Sequence, residues 1–235
     1  MLSVYLSNSN VQAVVAAGTG GRLTVRRVFN LCMDEGSLIN GVITEENEFR
    51  RQLAAFFEDN HLPKNNVTLV INSTELVSRL VSLPEVSDRR VLELLNFEFA
   101  DSDRGSDAIY DYLTLGRKAG AQVTELLAVM ADRSFVDRYV KLFASIGVRV
   151  GTVVPALSCL VKLLGLLPEL GGETAVVQLI DGATLTSILW TDGRYAYSQR
   201  TRLFSEDDPT ALARELATSV SGLRQFYLTG NREKP

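Results

Sequence analysis

Histidine and cysteine are almost missing from this chain. Its 235 residues include one histidine and two cysteines. A lone His61 excludes zinc sites built on several imidazoles and leaves one ring for any Ser-His-Asp arrangement. It sits beside Leu62-Pro63, where it reads as a helix C-terminal residue favoured by the helix dipole. Cys32 and Cys159 have no CxxC spacing, and two thiols make no disulfide framework. A reducing cytosol is therefore the expected compartment.

Basic charge is also scarce. Lys plus Arg is 24 against 28 for Asp plus Glu, a net charge of −4. No Lys/Arg block is present, so the chain lacks the footprint of a nucleic-acid binder, and no nucleic-acid partner is expected. The nucleotide motifs are absent too. No glycine is followed by lysine, which excludes GxxxxGK[ST], and GxSxG does not occur. Gly18-Thr19-Gly20-Gly21 lacks the third glycine of GxGxxG and reads as a hairpin loop.

Long apolar runs are rare. The nearest to a membrane span is Val150 to Pro168, interrupted by Thr152, Pro155, Ser158 and Lys162. Leu157, Leu160, Val161 and Leu164 recur at helical spacing, which predicts a buried amphipathic helix instead. The N-terminal Met1 to Leu6 has no basic region followed by an apolar one, so neither a signal peptide nor direct membrane insertion is expected.

What is present is a well-patterned α/β sequence, 46% hydrophobic and 22% charged. Strands are predicted at 2–6, 11–16 and 22–31, then a helix at 45–60 with Thr44 as N-cap. A strand at 67–71 and another at 76–83 lead through Ser87 into a helix at 88–100. Strands at 109–115 and 123–130 form an antiparallel pair. A helix capped by Asp132 or Ser134 runs to Gly147, and a strand at 148–153 precedes the Leu-rich helix. The stretch from Leu166 to Gly172 reads as a linker. Beyond it come strands at 174–180, 184–190 and 194–201, joined by Asp181-Gly182 and Asp192-Gly193 turns. Asp208-Pro209 opens the last helix. Glu206, Asp207 and Asp208 read as a solvated loop ending in an N-cap rather than as Mg²⁺ ligands. Trp190 reads as a core or subdomain contact.

A weak repeat organises these elements. Leu6 to Gly21-Arg22 and Leu179 to Gly193-Arg194 each hold a turn, an apolar strand and a Gly-Arg hairpin. Two strand-turn-strand-turn-strand units, each followed by a helix, predict two similar lobes. In such a duplication, the first turn of each unit can cradle phosphate with backbone N–H groups, which needs glycine for close approach and a carboxylate for the metal. Ser7-Asn8-Ser9-Asn10 has neither, and Ile180-Asp181-Gly182-Ala183 has one of each.

The segment from Asn72 to Ser87, with Arg79, Leu83, Pro84 and Ser87 on the motif positions, resembles the "vivRritLPemsee" signature of the PilM family. The helix ending Asn96-Phe97-Glu98-Phe99 and the stretch from Leu127 to Val154 are similar to later parts of that family. The resemblance implies an actin-like α/β fold of duplicated mixed-sheet lobes, incomplete here. Its expected parts are a first lobe at 1–73 and 131–171, an inserted small subdomain at 74–130, and a second lobe at 172–235. It also implies a scaffold on the cytoplasmic face of a type IV pilus or type II secretion inner-membrane platform. The GspL cytoplasmic domain is a related case. Such a scaffold is not an enzyme; the rival expectations are an ATP-binding enzyme of the actin/sugar-kinase superfamily and a filament-forming cytoskeletal actin-like protein. The scaffold captures the N-terminal cytoplasmic segment of a PilN-like membrane protein between subdomains 1A and 1C, and meets the machine's ATPase and platform proteins. Aligning the family's phosphate loops puts Tyr5 and Gln178 where Asp is expected, and Ser7 where Gly is expected. No cofactor is therefore expected. A remnant phosphate loop of Asp181, Gly182 and Thr184 is the only place for Mg-ATP. Candidate partner contacts are Arg79, Leu83, Pro84, Arg90, Leu94 and Phe97. Arg79 sits in phase with Val77, Val81 and Leu83 on an apolar strand face. It anchors the partner, pairs internally, for instance with Glu98, or is simply exposed on an edge strand.

Overall fold

The computed structural model describes residues 1–7, 10–19, 22–34, 36–102, 107–117, 122–205 and 207–232. The chain divides into two compact units, Met1–Leu160 and Val161–Pro235.

The first unit opens with three antiparallel strands, β1 (Leu2–Leu6), β2 (Asn10–Thr19) and β3 (Arg22–Cys32). Two short strands, β4 (Leu38–Ile39) and β5 (Val42–Ile43), lead into helix α1 (Glu46–Asp59) and strand β6 (Val67–Ile71). The chain then makes β7 (Val77–Pro84), α2 (Asp88–Glu98), β8 (Ala108–Arg117) and β9 (Val123–Asp132). It returns through α3 (Arg133–Ser145) to β10 (Val150–Pro155) and α4 (Ala156–Leu164). The main sheet has the order β10-β6-β1-β2-β3, with β1, β6 and β10 parallel. Alternation decides its buried face. Leu2, Val4 and Leu6 of β1, Val11 and Ala13 of β2, and Val67, Leu69 and Ile71 of β6 point into one core. Phe49, Leu53, Phe56 and Phe57 of α1 and Tyr139, Leu142 and Phe143 of α3 fill it. Phe57 meets Phe143 edge-to-face at 6.1 Å.

Helix ends show how local chemistry places these elements. Thr44 is not the cap of α1; Glu45 takes that place, and the Thr44 hydroxyl donates to the Gly36 carbonyl. Both α1 and α3 finish in a Schellman motif, with Leu62 N–H on the Phe57 carbonyl and Val148 N–H on the Phe143 carbonyl, each at 3.0 Å. The left-handed residue in α3's motif is Gly147 at φ +77, and in α1's it is His61 at φ +48. A side chain is strained there, so His61→Gly is expected to stabilise the fold by about 0.5–1 kcal/mol. A melting curve displaced upward checks this.

Residues 77–132 form a three-stranded antiparallel sheet of their own, β7-β9-β8. Its core gathers Val81, Leu83, Leu126, Ala128 and Met130 from the strands and Val91, Leu95 and Phe99 from α2 and its end. These residues share a second apolar cluster, distinct from that of the main sheet.

The second unit contains a 3₁₀ turn (Pro168–Leu170), the strands β11 (Ala175–Asp181), β12 (Thr184–Thr191) and β13 (Arg194–Arg202), and helix α5 (Pro209–Arg232). Asp208 caps α5, its Oδ1 accepting from Thr210 N–H at 2.9 Å and Ala211 N–H at 3.2 Å. Glu206, the first acid of that run, lies outside the described residues. Trp190 is buried, and its indole N–H donates to the Leu170 carbonyl at 3.2 Å. An antiparallel meander followed by a helix therefore occurs in both units, as the repeat predicts. The repeats are not in step: Leu6 ends β1, whereas β11 continues past Leu179 to Asp181.

Candidate functional site

Arg79 projects from the α2 side of the inserted sheet. Its Nη1 donates to the Glu98 carbonyl at 2.6 Å and to Asp101 Oδ1 at 2.7 Å. Its Nη2 donates to Ser102 Oγ at 3.2 Å, and the guanidinium lies 5.0 Å from the Phe99 ring centroid. A cation thus closes the negative end of α2, and its hydrogen bond holds the Asp101 carboxyl below its usual range. The internal ion pair is with the Asp101 carboxylate, and Glu98 contributes its backbone carbonyl, not its carboxylate. Arg79→Ala is expected to lower the melting temperature by roughly 2–4 °C, since it frees the C-terminal end of α2. A thermal melt checks this.

The other nominated contacts scatter. Leu83 is core, 5% exposed. Leu94 is half-buried against that same core. Arg90 is exposed and pairs with Glu93 at 2.7 Å, and Phe97 is 71% exposed on α2. Pro84 lines a wide hollow of about 550 Å³ with Glu85, Arg117, Gln122, Val123 and Thr124. Of the six, Leu83 and Leu94 meet in the core beneath α2.

A different set does converge. The β7-β9-β8 sheet and the α3-β10 segment meet around a cavity of about 160 Å³. Ile109, Tyr110 and Asp111 of β8 and Val129 and Ala131 of β9 form one wall. Leu76, Val136 of α3, and Val153 and Pro155 of β10 complete it. Topology explains the meeting: β9 runs directly into α3, and α3 leads to β10. Asp111 is the one charged residue of the lining. The space suits one or two apolar side chains. It is well below the ~300–1,000 Å³ usual for a small-molecule site. The signal for it was the alternation of β8. Ala108 and Tyr112 pack against the α2 core, so Ile109 and Asp111 belong to the opposite face, while Tyr110 both packs on that core and borders the cavity.

The positions aligned with phosphate loops are occupied otherwise. Tyr5 Oη accepts from Asn72 Nδ2 at 3.1 Å, and buried Ser7 Oγ accepts from Asn10 N–H at 3.2 Å. Asn8 and Ser9 of that turn lie outside the described residues. In the second unit, Gln178 Nε2 donates to Ser187 Oγ at 3.3 Å and to the Leu216 carbonyl at 3.2 Å. Asp181 and Thr184 face each other across the two-residue turn Gly182-Ala183, with Gly182 at φ +53. Thr184 is buried, and the Ala183 carbonyl accepts from Leu203 N–H at 2.8 Å. Among the described residues no cluster of acids, histidines or cysteines is arranged to hold a metal. No helix among them is long and apolar enough to cross a membrane.

Comparison with solved structures decides the fold. The chain superposes on a protein of the PilM-PilN type IV pilus biogenesis complex with a TM-score of 0.72. The match is 14% identical and covers 96% of this chain and 69% of that one. The cytoplasmic domain of EpsL, an inner-membrane component of the Vibrio cholerae type II secretion system, matches with a TM-score of 0.51. That match is also 14% identical and covers 86% of this chain and 70% of that one. A Bacteroides thetaiotaomicron protein with an actin-like ATPase fold and unknown function matches with a TM-score of 0.50 at 12% identity, over 94% of this chain and 76% of that one. The fold is actin-like. No family model and no curated protein sequence matches the chain. The actin-like fold agrees with the duplicated meanders, and the inserted β7-α2-β8-β9 subdomain is the part that builds one wall of the cavity.

Proposed function

We propose that this actin-like chain is a cytoplasmic scaffold of a type IV pilus or type II secretion inner-membrane platform, held at the membrane through a partner. The cavity between the inserted subdomain and the first lobe takes the N-terminal cytoplasmic segment of a PilN-like membrane protein. The carrying observation is that cavity's lining: mostly apolar side chains from β8, β9, α3 and β10, with Asp111 as the one charged anchor. Segment capture commonly combines apolar pockets with a few polar contacts. The likeness to a protein of the PilM-PilN complex supports the same reading. Titrating the chain calorimetrically with a synthetic peptide of the partner's cytoplasmic N-terminus tests it. Saturable binding supports the proposal, and absence of heat at high peptide concentration refutes it.

The second part of the proposal is a degenerate nucleotide site. Tyr5 and Gln178 hold positions where a metal-binding carboxylate is needed, and each is engaged in hydrogen bonds of its own. Phosphoryl transfer depends on metal and charge stabilisation that these side chains do not supply. The rival reading, an ATP-using enzyme, rests on the actin-like ATPase fold of one neighbour. Calorimetry with Mg-ATP separates the two. We expect a dissociation constant weaker than about 1 mM, a binding free energy of no more than about 4 kcal/mol. Micromolar binding would overturn this part and promote Asp181, Gly182 and Thr184 to a working phosphate loop.

A further inference from the structure

Strand β3 stands at one edge of the five-stranded sheet, pairing with β2 on one side only among the described residues. At 11 residues it is the longest strand among them. Its consecutive residues from Leu23 to Val28 are all exposed. Three are large and apolar: Leu23 at 64%, Val25 at 54% and Val28 at 56%. An open edge of this length is a template for strand addition, and soluble proteins usually blunt such edges with charge, proline or a bulge. Here the only charges between Leu23 and Val28 are Arg26 and Arg27. The register with β2 steps from Val15↔Arg27 to Ala16↔Val25, so Arg26 is the extra residue of a β-bulge. The Arg27 guanidinium lies 5.3 Å from the Phe29 ring centroid, which keeps its charge on the strand.

The charge pattern selects the occupant. A second copy paired antiparallel about the centre of β3 would match Val25 with Val28. It would also set Arg26 against Arg27 twice, and like charges directly opposite are destabilising. In that register the edge rejects itself while keeping its apolar flanks available. A strand with acidic residues at its centre and β-branched residues on either side satisfies both features. We infer that the free edge of β3 is a docking strand for an extended acidic segment of a partner protein, added by main-chain pairing and selected by Arg26 and Arg27. This surface is separate from the cavity proposed above.

The test uses the full chain and two fluorescein-labelled peptides of about ten residues, alternating Val and Thr around a central Glu-Glu or Lys-Lys pair. In fluorescence anisotropy, the acidic peptide is expected to bind at least about tenfold tighter than the basic one, and less tightly as salt is added. The double variant Arg26→Glu/Arg27→Glu should reverse the order. If that variant melts early, Arg26→Gln/Arg27→Gln should abolish the preference instead. Equal binding of both peptides, binding of neither, or dimerisation of the wild-type chain through this edge in sedimentation velocity would overturn the inference.

Discussion

Replacing Ile109 by arginine should weaken the partner peptide by at least about 30-fold, roughly 2 kcal/mol. Ile109 is half-buried on β8 and faces the cavity where the β7-β9-β8 sheet meets the α3-β10 segment. A guanidinium there fills apolar space and displaces whatever side chain the cavity receives. The fold should tolerate it, because β8 is an edge strand of its sheet and a long arginine stem can carry its charge to water. Val136→Ala, on α3 across the cavity, removes contact area without adding charge, and a smaller loss of about 1 kcal/mol is expected. Arg79→Ala gives the complementary pattern: a lower melting temperature with peptide binding kept. Calorimetric titration of the three variants checks the ordering. If Arg79→Ala lost the peptide and Ile109→Arg kept it, the binding surface would lie on the α2 side of the inserted sheet.

The largest stability effect is expected at Phe143. Its ring is fully buried on α3 and meets Phe57 of α1 edge-to-face. Phe143→Ala removes a contact that joins the two helices over the sheet and leaves a cavity, a cost of about 3–5 kcal/mol. The Phe143 carbonyl also accepts the Schellman bond from Val148 N–H, so the loosened turn leads straight into β10. Val153 and Pro155 of β10 line the cavity, and the variant should bind the peptide less tightly even below its melting temperature. Denaturant unfolding with paired titrations checks both effects. Tyr139, one turn before Phe143 on α3, belongs to the same core. Its hydroxyl donates to the buried Gly41 carbonyl, and burial pushes the phenol's pKa far up.

Much of this architecture is legible in the sequence because it depends on local periodicity. The alternation of β1 and β6, the apolar stripe of α3, and the glycines at 147, 182 and 193 each answer to a short-range rule. The choice of Glu45 over Thr44 as helix cap was not legible, since the Thr44 hydroxyl is drawn to Gly36, eight residues earlier in the chain. The cavity was hidden for a related reason. Ile109, Val136 and Val153 lie in three separate elements, and only the path from β9 through α3 to β10 brings them together. Arg79 was conspicuous as a charge on an apolar strand face. That conspicuousness pointed as readily to an internal task, and the geometry shows one at the end of α2.

Hydrogen–deuterium exchange on the full chain, with and without the partner's N-terminal peptide, tests the central proposal most directly, because it reports which amides the bound segment covers. The proposal predicts slowed exchange at β8 around Ile109 and Asp111, at the start of α3 around Val136, and along β10 at Val153, with α2 unchanged. Protection confined to the outer face of α2 around Phe97, or to the second unit, would contradict it.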